Sequence, residues 1–558
     1  MKEGALRFIP LGGVGTFGMN CSVLEFADEM LLIDVGVKFP QGNYPGVDLF
    51  LPDLTYVTGN AHRLTGVVLT HGHDDHVGAL PYLLNQVDVP VYGTAFTLAM
   101  AWERLANGGR GGRNGEGKIG GEMNQVLFGS PFEVGSAVIE AVPVDHSIPD
   151  SAALIIRTPA GTVVHSGDFR IPGGRAGPGL EPLRQAGRDG VDLLLCDSTN
   201  AERPGVTGSE EDVADSIEAM FRETEGRVFV ATFASHIGRM GAVLRAAHRT
   251  GRKVVLEGRR MVRNFEIARN LGYLVPPRGV VTADSGLMHA DAGRAVYLTT
   301  GTQGEPFSAL TRIARGEHSQ IQVGPGDTVI FSSRMIPGNE LAVAQNIDNL
   351  FRMGAMVYYQ APPRIHVSGH ASAGEILTLL SMTSPRHFVP VHGDYRNLVA
   401  CAGLARKGGV LPENVHILDP GQVLEVGPET ASLGEPVLAG RMLVDGTMIA
   451  TLGDPVIKDR RRIAREGVVV VAVSLPGKGK SIPEPAVHSL GVSVGPQGEE
   501  IDLAAAAAAR QVLKAWKKEG GSREDLENSL KIAVRGIYRK ELEKRPTIIP
   551  VILDNGEG

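Results

Sequence analysis

Cysteine is scarce in this 558-residue chain: Cys21, Cys196 and Cys401 stand far apart and form no CxxC pair. That argues against a disulfide framework and against thiolate zinc sites, so any metal must be held by imidazole and carboxylate groups. Long apolar runs are also missing. None approaches the ~20 residues needed to span a bilayer, and no membrane partner is expected. The opening residues Met1-Lys2-Glu3-Gly4 lack the basic and apolar regions of a secretory leader, so a cytoplasmic location is expected. Nor is there an excess of positive charge. The net charge of −7 argues against a surface coated in basic side chains and leaves a local basic channel open.

What is present is a long chain of ordinary globular composition, too long for a single hydrophobic core. Residues 1–208 read as many short strands, among them Cys21–Phe26, Met30–Asp34, Gly66–Thr70, Val138–Val142, Thr162–His165 and Leu193–Cys196, punctuated by Gly, Pro and Asp. Residues 107–121 hold eight glycines with Arg110, Arg113 and Lys118, a flexible solvated insertion. From Ser209, where Ser-Glu-Glu-Asp opens a helix, the rhythm becomes alternating helix and strand through residue 360, which implies a separate parallel α/β sheet. Residues 361–438 resume the earlier architecture. A connector over 439–465 carries the basic stretch Lys458–Arg465, and 466–558 form a small α+β unit.

Chemistry concentrates in His71-Gly72-His73-Asp74-Asp75-His76, an HxHxDH pattern directly after a strand. Four ligand-type side chains within six residues exceed what one tetrahedral ion needs from one loop, so two ions are the natural reading. Zn²⁺ is expected, with Mn²⁺ the alternative for such a donor set. His146 and Asp168 also follow strands, although a lone post-strand His is more often an ordinary hydrogen-bonded residue. Asp34 ends an early strand and suits the role of orienting a ligand imidazole.

The ordered set resembles the metallo-β-lactamase superfamily, which implies an αββα sandwich with a dinuclear site at one edge. Further along, Asp197-Ser198-Thr199-Asn200, Ser368-Gly369-His370-Ala371-Ser372 and His392-Gly393-Asp394 resemble motifs A, B and C of its β-CASP nuclease subgroup. That subgroup inserts a parallel α/β domain into the sandwich. A histidine at motif C resembles the RNA-processing branch, and with the small C-terminal α+β domain nearly the whole chain is similar to the bacterial ribonuclease J family. The resemblance implies His71, His73 and His146 on one ion, Asp75, His76 and His392 on the other, and Asp168 between them. It implies His370 as general acid held by Asp197, with Asp75 counted among the catalytic groups. It also implies a phosphate pocket from His366, Ser368, Gly369, Ala371, Ser372 and Ser333, where a helix begins near Ala371. The substrate implied is single-stranded RNA with a 5′ monophosphate, degraded from the 5′ end with internal cutting as a second mode. A homodimer is implied, with a tetramer as the alternative.

Three rivals carry less. A lactamase or thioesterase needs no insertion over 209–360. An inactive RNA-binding subunit would have lost ligands, and a DNA nuclease is disfavoured by His392. The Gly13-x-Gly15-x-x-Gly18 run matches a dinucleotide fingerprint, but the segment after it alternates as a strand where that fingerprint needs a helix. Arg259, Arg260 and Arg263, and Arg460–Arg462, are candidates for backbone phosphates, although a charge run is usually a solvated face.

Overall fold

The computed structural model describes residues 5–40, 42, 44–108, 120–282, 292–336, 338–427, 430–451, 453–475, 481–492 and 497–553. Most of the expected glycine-rich insertion, including Arg110, Arg113 and Lys118, lies outside them. The chain divides into two compact units, one comprising residues 1–39 and 49–448, the other residues 40–48 and 449–558.

In the first unit two sheets face each other. An eight-stranded sheet runs in the order Ala431–Gly434, Val423–Val426, Leu6–Gly12, Cys21–Phe26, Glu29–Ile33, Leu64–Val68, Val91–Gly93, Met123–Gln125. A six-stranded sheet runs His387–Val391, Leu193–Asp197, Gly161–His165, Ala152–Thr158, Ala137–Pro143, Phe132–Val134. Period-two alternation sorts their side chains. Phe8, Leu24 and Leu31 meet Ile139, Leu154 and Leu195 in the inner layer. The outer faces carry helices: Leu80–Leu84 and Ala95–Gly108 on one sheet, Glu181–Asp189, Ala373–Thr383 and Tyr395–Lys407 on the other. This is an αββα sandwich. Each fully buried Leu, Ile or Phe contributes about 1.5–3 kcal/mol, a surplus that lets one edge seat polar groups.

That edge follows from strand direction. Glu29–Ile33 and Leu64–Val68 are parallel, as are Gly161–His165, Leu193–Asp197 and His387–Val391, so their carboxyl ends emerge side by side. Ala137–Pro143 reaches the same edge through two antiparallel steps. Asp34, His71, His146, Asp168, Asp197 and His392 follow these six strands within a few residues.

The inserted domain is a five-stranded all-parallel sheet in the order Lys253–Glu257, Ala295–Thr299, Val228–Ala231, Thr328–Phe331, Met356–Tyr358. Val228, Val230, Val296 and Leu298 face the helices Glu210–Glu223, Ile237–Arg249 and Arg259–Asn270. Phe229, Ala231, Tyr297 and Val329 face Ala309–Ala314 and Glu340–Arg352. Both faces are covered, which explains why these strands read as nearly continuous apolar runs.

In the second unit, the strands Ala486–Leu490, Val468–Ser474 and Thr547–Leu553 form one sheet under the helices Gln497–Glu519 and Arg523–Leu542. The expected connector differs from the structure. Its basic stretch belongs to the helix Pro455–Glu466, capped by Asp454 and anchored by buried Ile457, because charged residues at helical spacing cover one apolar contact. No helix among the described residues is long and apolar enough to cross a membrane.

Candidate active site

Residues 71–77 turn sharply out of the Leu64–Val68 strand into the short helix Asp74–Val77. The turn packs against Gly36, where a Cβ would lie 1.6 Å from the Asp75 carbonyl oxygen, so only glycine allows this approach. Asp34 and His392 both adopt left-handed backbone conformations, with φ of 57° and 55°. Such strain costs of order 1 kcal/mol or more per residue and persists only where neighbours over-determine it. Here Asp34 accepts from the Thr70 N–H and hydroxyl at 2.8 Å each, and the His392 N–H donates to the Gly13 carbonyl at 2.7 Å.

Asp168 occupies the centre. Its Oδ2 lies 3.6 Å from His71 Nε2, 3.8 Å from His146 Nε2, 3.4 Å from His76 Nε2 and 3.7 Å from His392 Nε2. On one side His73 Nδ1 is 3.0 Å from His71 Nε2 and 3.2 Å from His146 Nε2. On the other Asp75 Oδ2 is 3.3 Å from His392 Nε2 and 3.9 Å from His76 Nε2. Tetrahedral donors at ordinary metal–nitrogen lengths stand about 3.3 Å apart, so both clusters have the spacing of a ligand set.

The opposite ring nitrogens are tied outward. His76 Nδ1 donates to Asp34 Oδ2 at 2.7 Å, and His146 Nδ1 to the Gly369 carbonyl at 2.8 Å. His392 Nδ1 pairs with Thr199 Oγ1 at 2.6 Å, His71 Nδ1 with Thr70 Oγ1 at 3.1 Å, and His73 Nε2 with Ser235 Oγ at 3.1 Å. Each imidazole therefore points one nitrogen inward, as metal-binding histidines do. Asn20 closes the wall, its Nδ2 2.9 Å from His76 Nε2 and 3.1 Å from the Asp75 carbonyl.

Electrostatics divide the imidazoles, with His76 and His392 raised by the carboxylates around them and the other three lowered. Burial pushes the His73 imidazole down to about 4 and holds His71 and His146 well below their usual range, which keeps them neutral donors. Burial also works against charge on His76, but Asp168, Asp34 and Asp75 outweigh it and lift the group to about 10. Asp168 is buried and Asp75 half-buried, and the imidazoles beside them hold both carboxyls well below the carboxylate range. Buried carboxylates in this density demand positive charge, and the donor set fits divalent cations.

Asp197 and His370 stand next to this cluster. Asp197 ends its strand, accepts from the Thr199 N–H at 2.9 Å and hydroxyl at 2.7 Å through Oδ1, and accepts from His370 Nδ1 at 2.8 Å through Oδ2. The His370 side chain keeps 21% exposure, more open than His71, His76, His146 and His392. Asn200 Nδ2 donates to Ser368 Oγ at 2.7 Å and to the His370 carbonyl at 3.1 Å, which fixes the turn. Gly369 is required there, since a Cβ would meet His146 Nδ1 at 2.7 Å.

The residues expected in the phosphate pocket separate. Ser368 and Gly369 sit in the turn just described, and His366 is partly buried with its Nδ1 unpartnered among the described residues. Ala371 is buried. Ser372 is also buried and caps the helix Ala373–Thr383, its N–H committed to Glu375 Oε2 at 2.8 Å; the helix starts two residues later than expected. Ser333 is half-buried beside Ser332, whose hydroxyl donates to the Ile365 carbonyl at 2.7 Å. The Gly13–Gly18 segment is a turn leading into the antiparallel strand Cys21–Phe26, with no helix behind it.

Sequence reading missed Thr199, Ser235 and Asn20. Thr199 lay within the Asp197 motif, where its spacing was a usable signal. Ser235, from the inserted domain, and Asn20 carry no local signal.

The chain matches known families along most of its length. Residues 14–229 match the metallo-beta-lactamase superfamily, 225–350 the ribonuclease J beta-CASP domain, 363–418 the Zn-dependent metallo-hydrolase RNA specificity domain, and 455–555 the ribonuclease J C-terminal domain. Ribonuclease J of Synechocystis is 37% identical over 98% of this chain and 86% of its own length. Ribonuclease J of Mycobacterium tuberculosis is 40% identical over 90% of this chain and 89% of its own. A crystal structure of a protein of unknown function from Enterococcus faecalis shares the fold, with a TM-score of 0.51 at 18% identity over 76% of this chain and all of that one. Matched in each of its domains and in near full-length relatives, the chain belongs to the ribonuclease J family.

Proposed function

We infer that this chain hydrolyses RNA phosphodiester bonds with two divalent ions, working 5′ to 3′ from 5′-monophosphate ends and cutting internally as a second mode. The observation that carries the reading is the position of Asp168 Oδ2 between two histidine sets, with the His370–Asp197 pair alongside. In this reading His71, His73 and His146 hold one ion, Asp75, His76 and His392 hold the other, and Asp168 is shared. Zn²⁺ is the expected metal and Mn²⁺ the alternative. Bound there, the ions supply Lewis acidity toward the phosphoryl oxygens and acidify the attacking water.

The protein supplies the rest. Asp197 accepts from His370 Nδ1, fixing the ring with Nε2 turned away from the carboxylate. Burial opposes charge on His370, but Asp197 and Asp168 raise its pKa. It therefore holds a proton to deliver to the departing oxygen. Asp34 keeps His76 in one tautomer. His366, Ser368 and Gly369, with Ser333 nearby, take the 5′ phosphate. The assembly we propose is a homodimer, with a tetramer as the alternative. The setting we propose is the cytoplasm.

Metal-loaded protein should degrade 5′-monophosphorylated single-stranded RNA, degrade 5′-triphosphorylated RNA more slowly, and leave single-stranded DNA intact. Equal rates on the two RNAs would remove the phosphate pocket, and faster cleavage of DNA would overturn the substrate class.

A further inference from the structure

The carboxyl edge of the inserted sheet has a crevice that the metal cluster does not use. The strand Lys253–Glu257 runs into the helix Arg259–Asn270, whose Met261, Phe265 and Ala268 pack on one face of the sheet. The neighbouring parallel strand Ala295–Thr299 leads to the helix Ala309–Ala314, whose Leu310 and Ile313 pack on the opposite face. Adjacent parallel strands whose outgoing connections part to opposite faces open a crevice beyond their ends, which is where α/β sheets bind ligands. This open crevice has a volume of about 890 Å³, roomy enough for a nucleotide, with Arg259, Val262, Arg263, Phe307, Arg312 and His318 in its walls.

The walls differ in how they are held. His318 is fixed by Glu257 at 3.4 Å and Arg263 by Glu103 at 2.7 Å. Arg259 and Arg312 have no carboxylate partner among the described residues, although Glu257 and Glu266 also line the space. Phe307 is 94% exposed, a large ring left in water in a crevice that also holds Arg259 and Arg312, the latter donating to the Glu317 carbonyl at 3.4 Å. An aromatic face with arginines around it is the arrangement that holds single-stranded nucleic acid, the ring stacking on a base and the guanidinium groups meeting phosphates.

The helix that walls the crevice also reaches the metal edge. Arg260, next to Arg259, reaches Asp74 Oδ2 at 3.5 Å within the His71–His76 loop. Two strands over, Val228–Ala231 leads to Ser235, 3.1 Å from His73. One edge of the inserted sheet thus touches the metal cluster on one flank and opens the crevice on the other.

We propose that this crevice is a second RNA subsite, holding a nucleotide of the single strand away from the scissile bond, with Phe307 on its base and Arg259 and Arg312 on its phosphates. The proposal rests on the ribonuclease reading above. The test is cleavage kinetics of metal-loaded wild type and the Arg259→Ala/Phe307→Ala/Arg312→Ala variant on 5′-monophosphorylated oligoribonucleotides, one trinucleotide and one of fifteen residues. KM for the longer substrate should rise about tenfold with kcat unchanged, its salt dependence should flatten by about two phosphate contacts, and the trinucleotide should be unaffected. Unchanged KM on the long substrate overturns the proposal. So does an equal rise on both substrates, which would place these residues in the catalytic cleft. If the triple variant does not fold, wild-type protein is cross-linked to 4-thiouridine RNA and its peptides mapped. Label on the Phe307 peptide supports the subsite and label elsewhere only removes it. Wild type that cuts neither RNA sinks the ribonuclease reading itself.

Discussion

The metal edge and the arginine crevice border the same domain insertion but are built on opposite plans. At the metal edge every imidazole has an outer partner, and two residues accept left-handed backbone to reach their places. In the crevice Arg259 and Phe307 are exposed and Arg312 half-buried, all on helix and loop surfaces. Chemistry on a phosphate needs donors held to fractions of an ångström, whereas holding a flexible strand of any sequence needs charge and an aromatic face that can adjust. Rigidity here tracks the task.

Substitutions should separate the two plans. The largest effect is expected for His76→Ala, which removes an inward donor and leaves Asp34 and Asp168 uncompensated. Metal content by mass spectrometry should fall and cleavage should drop by roughly a thousandfold or more, while circular dichroism stays near wild type. His370→Ala should slow kcat by about 10²–10⁴-fold with both ions retained, and loss of metal in that variant would reassign the residue.

Between the two regions lies a buried tie. Arg239, fully buried, donates to Glu210 at 2.8–3.1 Å and to the Ile365 carbonyl at 3.0 Å, joining the inserted domain to the His370 turn. Arg239→Met should cost about 3 kcal/mol, the low end for a broken buried pair, because Glu210 keeps 28% side-chain exposure. Urea unfolding would measure it.

The smallest effect concerns acid. Burial lowers the His416 imidazole from 6.5 to about 4, with His387 3.3 Å away and also lowered. Between those values the unfolded chain takes up a proton that the folded chain refuses, so stability is whole above pH 6.5 and declines as pH falls toward 4. His416→Gln should flatten the urea midpoint over that window, and an unchanged slope would remove the pair from the account.

Much of the fold was legible because its patterns are local. Short β-type runs punctuated by Gly, Pro and Asp located the sandwich strands, and the alternation of helix and strand located the inserted sheet. The helix Pro455–Glu466 was missed because a basic run with one buried contact, Ile457, carries little periodic apolar signal. Ser372 shows a related point: a serine before a helix reads as an anion site, and which group its N–H meets, here Glu375, is set by the fold.

By itself the sequence determined the metal-type donor cluster, since three histidines and an aspartate within six residues have few other uses, and strand ends place such residues at an edge. Resemblance carried the reading to Asp197, His370 and His392. Only the tertiary structure decided that Asp168 stands between the two histidine sets, that Thr199, Ser235 and Asn20 surround them, and that Arg259 and Phe307 share a crevice. These are contacts between residues far apart in the chain. They depend on which strands lie side by side and on which face each connection leaves the sheet, and no local periodicity records either.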